Sequence, residues 1–198
     1  MSYMVLLEIV STITGIFCVW LQTRERILAW PFGIISVSIA AFIFFQNQLY
    51  SDFILHIIFF ILNVYGWYMW SKVPPQLDER LIETLTAKLT IIYTTFIVTL
   101  AILWGFIMDR WTDADLPYFD SFTTSGSLVA QYLLAKKVLE NWIIWIIVDV
   151  VAINMYLYKG LYYFAFLFLV YLGLCILGYR NWRSSMSVQP DPQFLQED

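Results

Sequence analysis

Deep in one apolar run sits a single aspartate, Asp149, with Trp145 four residues before it. Trp142, Trp145, Asp149, Ala152 and Tyr156 recur at a 3-4-3-4 spacing, which on a helix is one face. A carboxylate placed in hydrocarbon costs about 2.5–3.5 kcal/mol, so such groups normally face a bundle interior or a solute pathway. An anion beside an indole suits a flat organic cation, because the ring quadrupole attracts positive charge. Two readings are open for Asp149. One is that binding role; the other is a carboxylate hydrogen-bonded to a neighbouring helix or protonated.

Other polar residues in apolar runs also fall on helical stripes. His56, Phe59, Asn63 and Trp67 form one, and Asp120, Thr124, Ser127 and Gln131 a second. Glu8, Thr12 and Gly15 form a third, and Gly33, Ser36 and Ala40 a fourth. The candidate substrate-binding residues are Trp145, Asp149, His56, Asn63, Ser36, Gln131 and Trp142. His56, the only histidine, suits a hydrogen bond in a pathway or a packed interhelical contact. Ser36, Asn63 and Gln131 have the same two readings, since polar side chains also join membrane helices.

Catalysis finds no support in these residues. One histidine and one deep acid make no paired aspartates, no serine with a usable base and no metal cluster. A phosphate-cradling glycine loop is missing too, which argues against a nucleotide-driven pump. No cofactor and no metal is expected. Cys18 and Cys175 stand alone inside apolar runs and read as small core residues. With no basic stripe, nucleic acid is not an expected partner.

The elements that must hold these side chains follow from composition. Hydrophobic residues make up 61% of the 198 and charged ones 13%. A soluble fold of this length has too little interior for so much apolar surface. The solvent is therefore a bilayer, crossed by runs of about 20 apolar residues. Polar breaks give seven spans, at 4–22, 27–45, 49–70, 87–108, 119–135, 141–158 and 161–179, in a single membrane domain over 1–198. The first reads as a span and not a cleaved leader, for it lacks a basic flank and a small-residue cleavage site. The stretch from Ser71 to Thr86, with Pro74-Pro75, reads as a loop. Trp30, Tyr50, Trp70, Trp111, Trp142, Tyr162 and Trp182 lie near span ends, where aromatic residues anchor a protein at the interface.

The chain also repeats itself at an offset of 112 residues. Trp30 aligns with Trp142, Leu49-Tyr50 with Leu161-Tyr162, Gly66 with Gly178 and Trp70 with Trp182. Glu8 aligns with Asp120, Ser11-Thr12 with Thr123-Thr124, and Arg24 with Lys136. Residues 8–70 and 120–182 match at 12 of 63 positions without a gap. Three spans and one linker separate the copies, so both run in the same direction. The expected architecture is all-α, a parallel 3+1+3 arrangement with repeats at about 5–70 and 119–182 and a linker helix at 87–108. Parallel repeats are a transporter device, with the site near the midplane and one repeat rocking against the other.

The run Glu140-Asn141-Trp142-Ile143-Ile144-Trp145-Ile146-Ile147-Val148-Asp149-Val150 resembles the sixth span of the PnuC family of vitamin transporters. Trp30-Pro31-Phe32-Gly33-Ile34-Ile35-Ser36-Val37 and Asn63-Val64-Tyr65-Gly66-Trp67-Tyr68-Met69-Trp70 resemble its second and third spans. The resemblance runs from about residue 5 to 183. It implies a SWEET-like seven-helix fold, a bacterial inner membrane, and facilitated diffusion followed by trapping through a cytosolic kinase. It implies nicotinamide riboside as substrate, with thiamine as the alternative. Three positions depart from the nicotinamide riboside pattern: Asp149 and Ser36 stand where the family has asparagine, and His56 where it has glutamine. Oligomeric state is left open, and a homo-oligomer is compatible with the sequence.

Lys and Arg counts orient the bundle. One side takes Arg24, Arg26, Lys72, Arg80, Lys88, Lys136, Lys137, Arg180 and Arg183, nine in all, against Arg110 and Lys159 on the other. The positive-inside rule then puts the N-terminus outside and the C-terminus in the cytoplasm. A reporter fused after Asp198 is expected to be active only in the cytoplasm, and a periplasmic signal there would reverse the orientation.

Overall fold

A computed structural model describes residues 3–72, 81–112 and 115–188. Among them are seven α-helices: α1 (Tyr3–Thr23), α2 (Ala29–Gln46), α3 (Tyr50–Ser71), α4 (Ala87–Trp111), α5 (Pro117–Ala135), α6 (Asn141–Tyr158) and α7 (Tyr162–Met186). Their bounds follow the apolar runs closely, except that α7 continues past the expected end through Arg180 and Arg183. Pro74-Pro75, Arg80 and the acids of the C-terminal tail lie outside the described residues.

Six of the seven helices are long and apolar enough to cross a bilayer. The exception is α5, which carries Asp120, Ser121, Thr123, Thr124, Ser125, Ser127 and Gln131. Its polarity has a packing reason. Ser121, Ser125, Val129 and Leu133 follow one another at i, i+4 and are all buried, as are Gly126, Ala130 and Leu134. Two adjacent rows of α5 thus face protein. Sheltered this way, the helix has less need of lipid-compatible side chains.

The turns between helices are built alike. Helices α1, α2, α5 and α6 are each followed by a residue in the left-handed region: Glu25 (φ 58°), Gln48 (φ 61°), Lys137 (φ 61°) and Gly160 (φ 69°). One residue later, a backbone N–H reaches back to the last helical turn. Arg26 donates to Leu21 at 3.0 Å, Leu49 to Phe44 at 2.9 Å, Val138 to Leu133 at 3.0 Å and Leu161 to Tyr156 at 2.8 Å. These are Schellman closures, which satisfy carbonyls that a helix end leaves open.

The chain divides into two compact units. The first holds α1–α3, residues 135–137 and 180–198; the second holds residues 83–134 and 138–179. Within the first, α1 packs on α2 and α2 on α3. A Cβ on Gly66 would overlap the six-membered ring of Trp30, so the indole lies directly on the α3 backbone. Trp30 in turn meets Trp70 edge-on at 5.3 Å between ring centroids. Within the second unit, a Cβ on Gly178 would come to 2.6 Å from Trp142, and one on Gly126 to 2.6 Å from Val148. Ile97, Val129, Leu133 and Val138 form its apolar cluster, with Tyr93, Phe122 and Ile144 against it. The segment before α4 is held there as well: Leu139 N–H donates to the Glu83 carbonyl at 2.9 Å, and Leu85 N–H to the Glu140 carboxylate at 3.0 Å.

This packing corrects the anchor reading of four tryptophans. Trp30, Trp70, Trp142 and Trp182 are buried, at most 5% exposed, and their rings fill gaps opened by glycine or stack on one another. Tyr50, Trp111 and Tyr162 are exposed, as interfacial anchors are. Closeness at Gly66 and Gly178 leaves no room for a methyl group. Gly66→Ala and Gly178→Ala are each expected to destabilise the protein by about 1–3 kcal/mol through overpacking. Gly173 has open space where its Cβ would go, so Gly173→Ala should leave the detergent melting temperature unchanged, and the three melting curves check the contrast.

Candidate functional site

The α6 stripe is real and faces inward. Trp142, Asp149 and Ala152 are buried, and Trp145 and Tyr156 are half-buried on the same face. Asp149 is 2% exposed. Its Oδ2 accepts a hydrogen bond from the Cys175 thiol of α7 at 3.4 Å. A thiol is a weak donor and leaves a carboxylate with most of its acceptor capacity unused. Farther along, Tyr156 stacks on Phe164 at 5.4 Å and packs against Phe168 at 5.3 Å, pinning α6 to α7 beside the acid.

Cys175 is a site neighbour that the sequence marks only as a core residue. A signal for it exists: Cys175 stands 112 residues after Asn63, a polar candidate. Trp142 is placed as packing, flat against Gly178. Gln131 is buried on α5 in the same compact unit.

Ser36, His56 and Asn63 belong to the other unit. Ser36 and Ser11 bond reciprocally across α1 and α2. The Ser36 hydroxyl donates to the Ser11 carbonyl at 2.8 Å, and the Ser11 hydroxyl to the Ser36 carbonyl at 3.0 Å. Both hydroxyl protons are thereby used to join helices. His56 Nδ1 lies 2.8 Å from the Asp52 carbonyl. A carbonyl only accepts, so Nδ1 carries a proton. The ring is held 4.8 Å from Phe44 and 6.0 Å from Phe59.

Asn63 is different. Its amide N–H donates to the Phe59 carbonyl at 2.8 Å, yet its buried Oδ1 has no hydrogen-bond partner among the described residues. That oxygen sits directly over Gly33, with Cys18 Sγ beside the same glycine. Trp67, placed on the His56–Asn63 stripe by spacing, is 43% exposed; Gly66 and Trp70 take the buried positions at that level.

An apolar groove of about 310 Å³, lined by Tyr118, Phe119, Phe122 and Val151, contains none of the candidate residues. It offers no polar group to fix a solute, whereas Asp149 and Asn63 do.

Comparison with known proteins places the chain. A family profile described as "Nicotinamide mononucleotide transporter" matches residues 5–184. The nicotinamide riboside transporter PnuC of Escherichia coli (strain K12) is 28% identical over 205 residues, which span 90% of this chain and 85% of the relative. The riboflavin/roseoflavin transporter RibM of Streptomyces davaonensis is 24% identical, over 88% of this chain and 83% of its own. A crystal structure of the vitamin B3 transporter PnuC superposes with a TM-score of 0.74 at 24% identity, covering 93% of this chain and 83% of that one. That likeness shows the same fold. The chain is thus a multi-pass membrane transporter and not an enzyme, and it belongs to the nicotinamide mononucleotide transporter family.

Proposed function

We propose that this transporter takes up nicotinamide riboside across a bacterial inner membrane by facilitated diffusion, with phosphorylation by a cytosolic kinase trapping the product. The observation that carries this is Asp149, a carboxylate 2% exposed whose side chain meets the weakly donating Cys175 thiol at 3.4 Å. On the same helical face, Trp145 offers an indole one turn away. The pair suits a positively charged pyridinium ring: stacking and cation–π attraction from Trp145, charge compensation from Asp149. The names of relatives such as the Escherichia coli transporter favour the same vitamin.

Asn63, whose carbonyl oxygen is buried and unpaired among the described residues, is the candidate partner for a solute hydroxyl or amide. Gln131 and His56 are further candidates for polar contacts, while Ser36 and Trp142 act by fixing the helices. Thiamine is the second reading. It carries a cationic ring as well, and His56 and Ser36 replace amides that a ribose would use.

The proposed architecture is the parallel 3+1+3 repeat in one membrane domain, with α4 as linker and α5 as a seventh, sheltered span. Support comes from the turns and glycines. The left-handed residues fall into two pairs 112 apart, Glu25 with Lys137 and Gln48 with Gly160. The glycine–tryptophan contacts repeat at the same offset, Gly66 on Trp30 and Gly178 on Trp142. The proposed orientation, N-terminus outside, rests on the nine-to-two charge split.

Uptake into proteoliposomes, with nicotinamide riboside, thiamine and riboflavin as labelled solutes, tests the function. Nicotinamide riboside is expected to show counterflow that persists after proton and sodium gradients are collapsed. Loss of counterflow under those conditions would overturn facilitated diffusion. Trp145→Ala should weaken binding by about 1–3 kcal/mol, the scale of a desolvated stacking and cation–π contact. Asp149→Asn keeps shape but removes charge, so calorimetry should show lower affinity for both cationic vitamins. Wild-type affinity in both variants would remove these two residues from the site.

A further inference from the structure

The α5–α6 turn and the end of α7 belong to the same compact unit as α1–α3, and there they make a set of contacts with one common feature. Lys137 Nζ lies 2.7 Å from Glu25 Oε2, with side chains 3% and 10% exposed. The two residues are 112 apart, and each is the left-handed residue of its turn. Lys137 Nζ also stands 5.4 Å from the centroid of the Trp70 ring. Trp70 lies 5.8 Å from Trp182, again its equivalent 112 residues on. Trp182 Nε1 donates to the Gln22 carbonyl at 2.9 Å, and Asn181 Nδ2 to the Thr23 carbonyl at 3.2 Å, so α7 caps the end of α1.

Positions that touch their own equivalents lie on the axis relating two copies. Equivalent residues of like charge would repel there. Arg24 and Lys136, one residue earlier, keep the same sign, whereas Glu25 and Lys137 differ in sign at the place where they meet. A buried pair of this kind adds little net stability, because desolvation offsets most of the attraction; its best-attested use is registry or switching. Opening this end of the bundle would hydrate both charges, so the loss of the pair is compensated by water. Two states of similar free energy are what a solute needs in order to shift them.

We propose that Glu25 and Lys137, roofed by Trp70 and Trp182, form a latch that closes this lysine- and arginine-rich end, and that the transport step parts it. The proposal rests on the transporter assignment and on the repeat, not on which vitamin is carried.

The test uses the full chain in liposomes, with two readouts. One is nicotinamide riboside counterflow beside its Kd. The other, independent of any solute, is labelling of a cysteine placed at Thr23, 0% exposed, by a membrane-impermeant maleimide. Glu25→Gln and Lys137→Met are expected to speed labelling about tenfold and to change counterflow severalfold while Kd stays within about twofold. Exchanging the charges, Glu25→Lys with Lys137→Glu, should restore protection and rate. Glu25→Asp, one methylene shorter, is a milder variant expected to move both readouts the same way. Wild-type labelling and counterflow in folded single variants would overturn the latch, as would a charge exchange that rescues neither. Labelling that responds as expected in a protein binding no nicotinamide riboside would support the latch and overturn the substrate reading instead.

Discussion

In a bilayer, no water is at hand to satisfy backbone N–H and C=O groups, and every helix end becomes a problem the chain must solve itself. Here the solution after α1, α2, α5 and α6 is the same: a left-handed residue and a back-bonded amide one position later. At three of these four turns the left-handed residue is not glycine, which costs about 1–2 kcal/mol each relative to an ordinary conformation. Tight turns in exchange keep successive helices antiparallel and adjacent. Adjacent helices can then approach closely where glycine allows, and an indole fills each gap, Trp30 over Gly66 and Trp142 over Gly178. The positions of Asn63 and Asp149 follow from that closeness, for each is buried on a helix whose register these contacts fix.

Polarity within the membrane is distributed by the same logic. Helix α5 carries many hydroxyls, and the ones at 121 and 125 lie on rows buried in protein. Hydroxyl groups of Thr14, Ser38, Ser71, Thr90 and Ser125 return their protons to carbonyls three or four residues back in their own helices or caps. Such bonds make a polar side chain locally neutral in cost. Against that background Asn63 and Asp149 stand out, since among the described residues neither has its acceptors filled by a strong protein donor. Groups left in this state inside a membrane protein are those a solute can use.

The helices are legible in the sequence because apolar run length is a strong signal, and all seven lie near the expected bounds. So is the α6 stripe, since a spacing of three and four residues survives in any α-helix. Burial of the four tryptophans is not legible from position alone: an indole near a span end looks the same whether it meets lipid headgroups or a glycine. Their pairing with Gly66 and Gly178 at one offset holds that information. The turns are hidden for a related reason. Only Gly160 advertises a left-handed residue, while Glu25, Gln48 and Lys137 do not. Gly160 projected back through the repeat marks Gln48. Ser36 and His56 are legible as polar but not as locally bonded, because reciprocal bonding to Ser11 and the carbonyl of Asp52 depends on three-dimensional register.

A carrier driven by its solute gradient alone must hold its closed and open states nearly level, because no other energy source resets it. An end sealed only by apolar contact would tilt toward closure, by about 25 cal/mol for each Å² hidden from water. A buried ion pair works in the other direction. Removing two charges from water carries an effective penalty of several kcal/mol per ion, which the opening of a wet mouth returns. The Glu25–Lys137 pair set under Trp70 and Trp182 combines both terms in one place. Asp149 then acts on a balance already near level: an organic cation that neutralises it lowers the energy of whichever state encloses the two together, and a shift of a few kcal/mol is enough to change the dominant population.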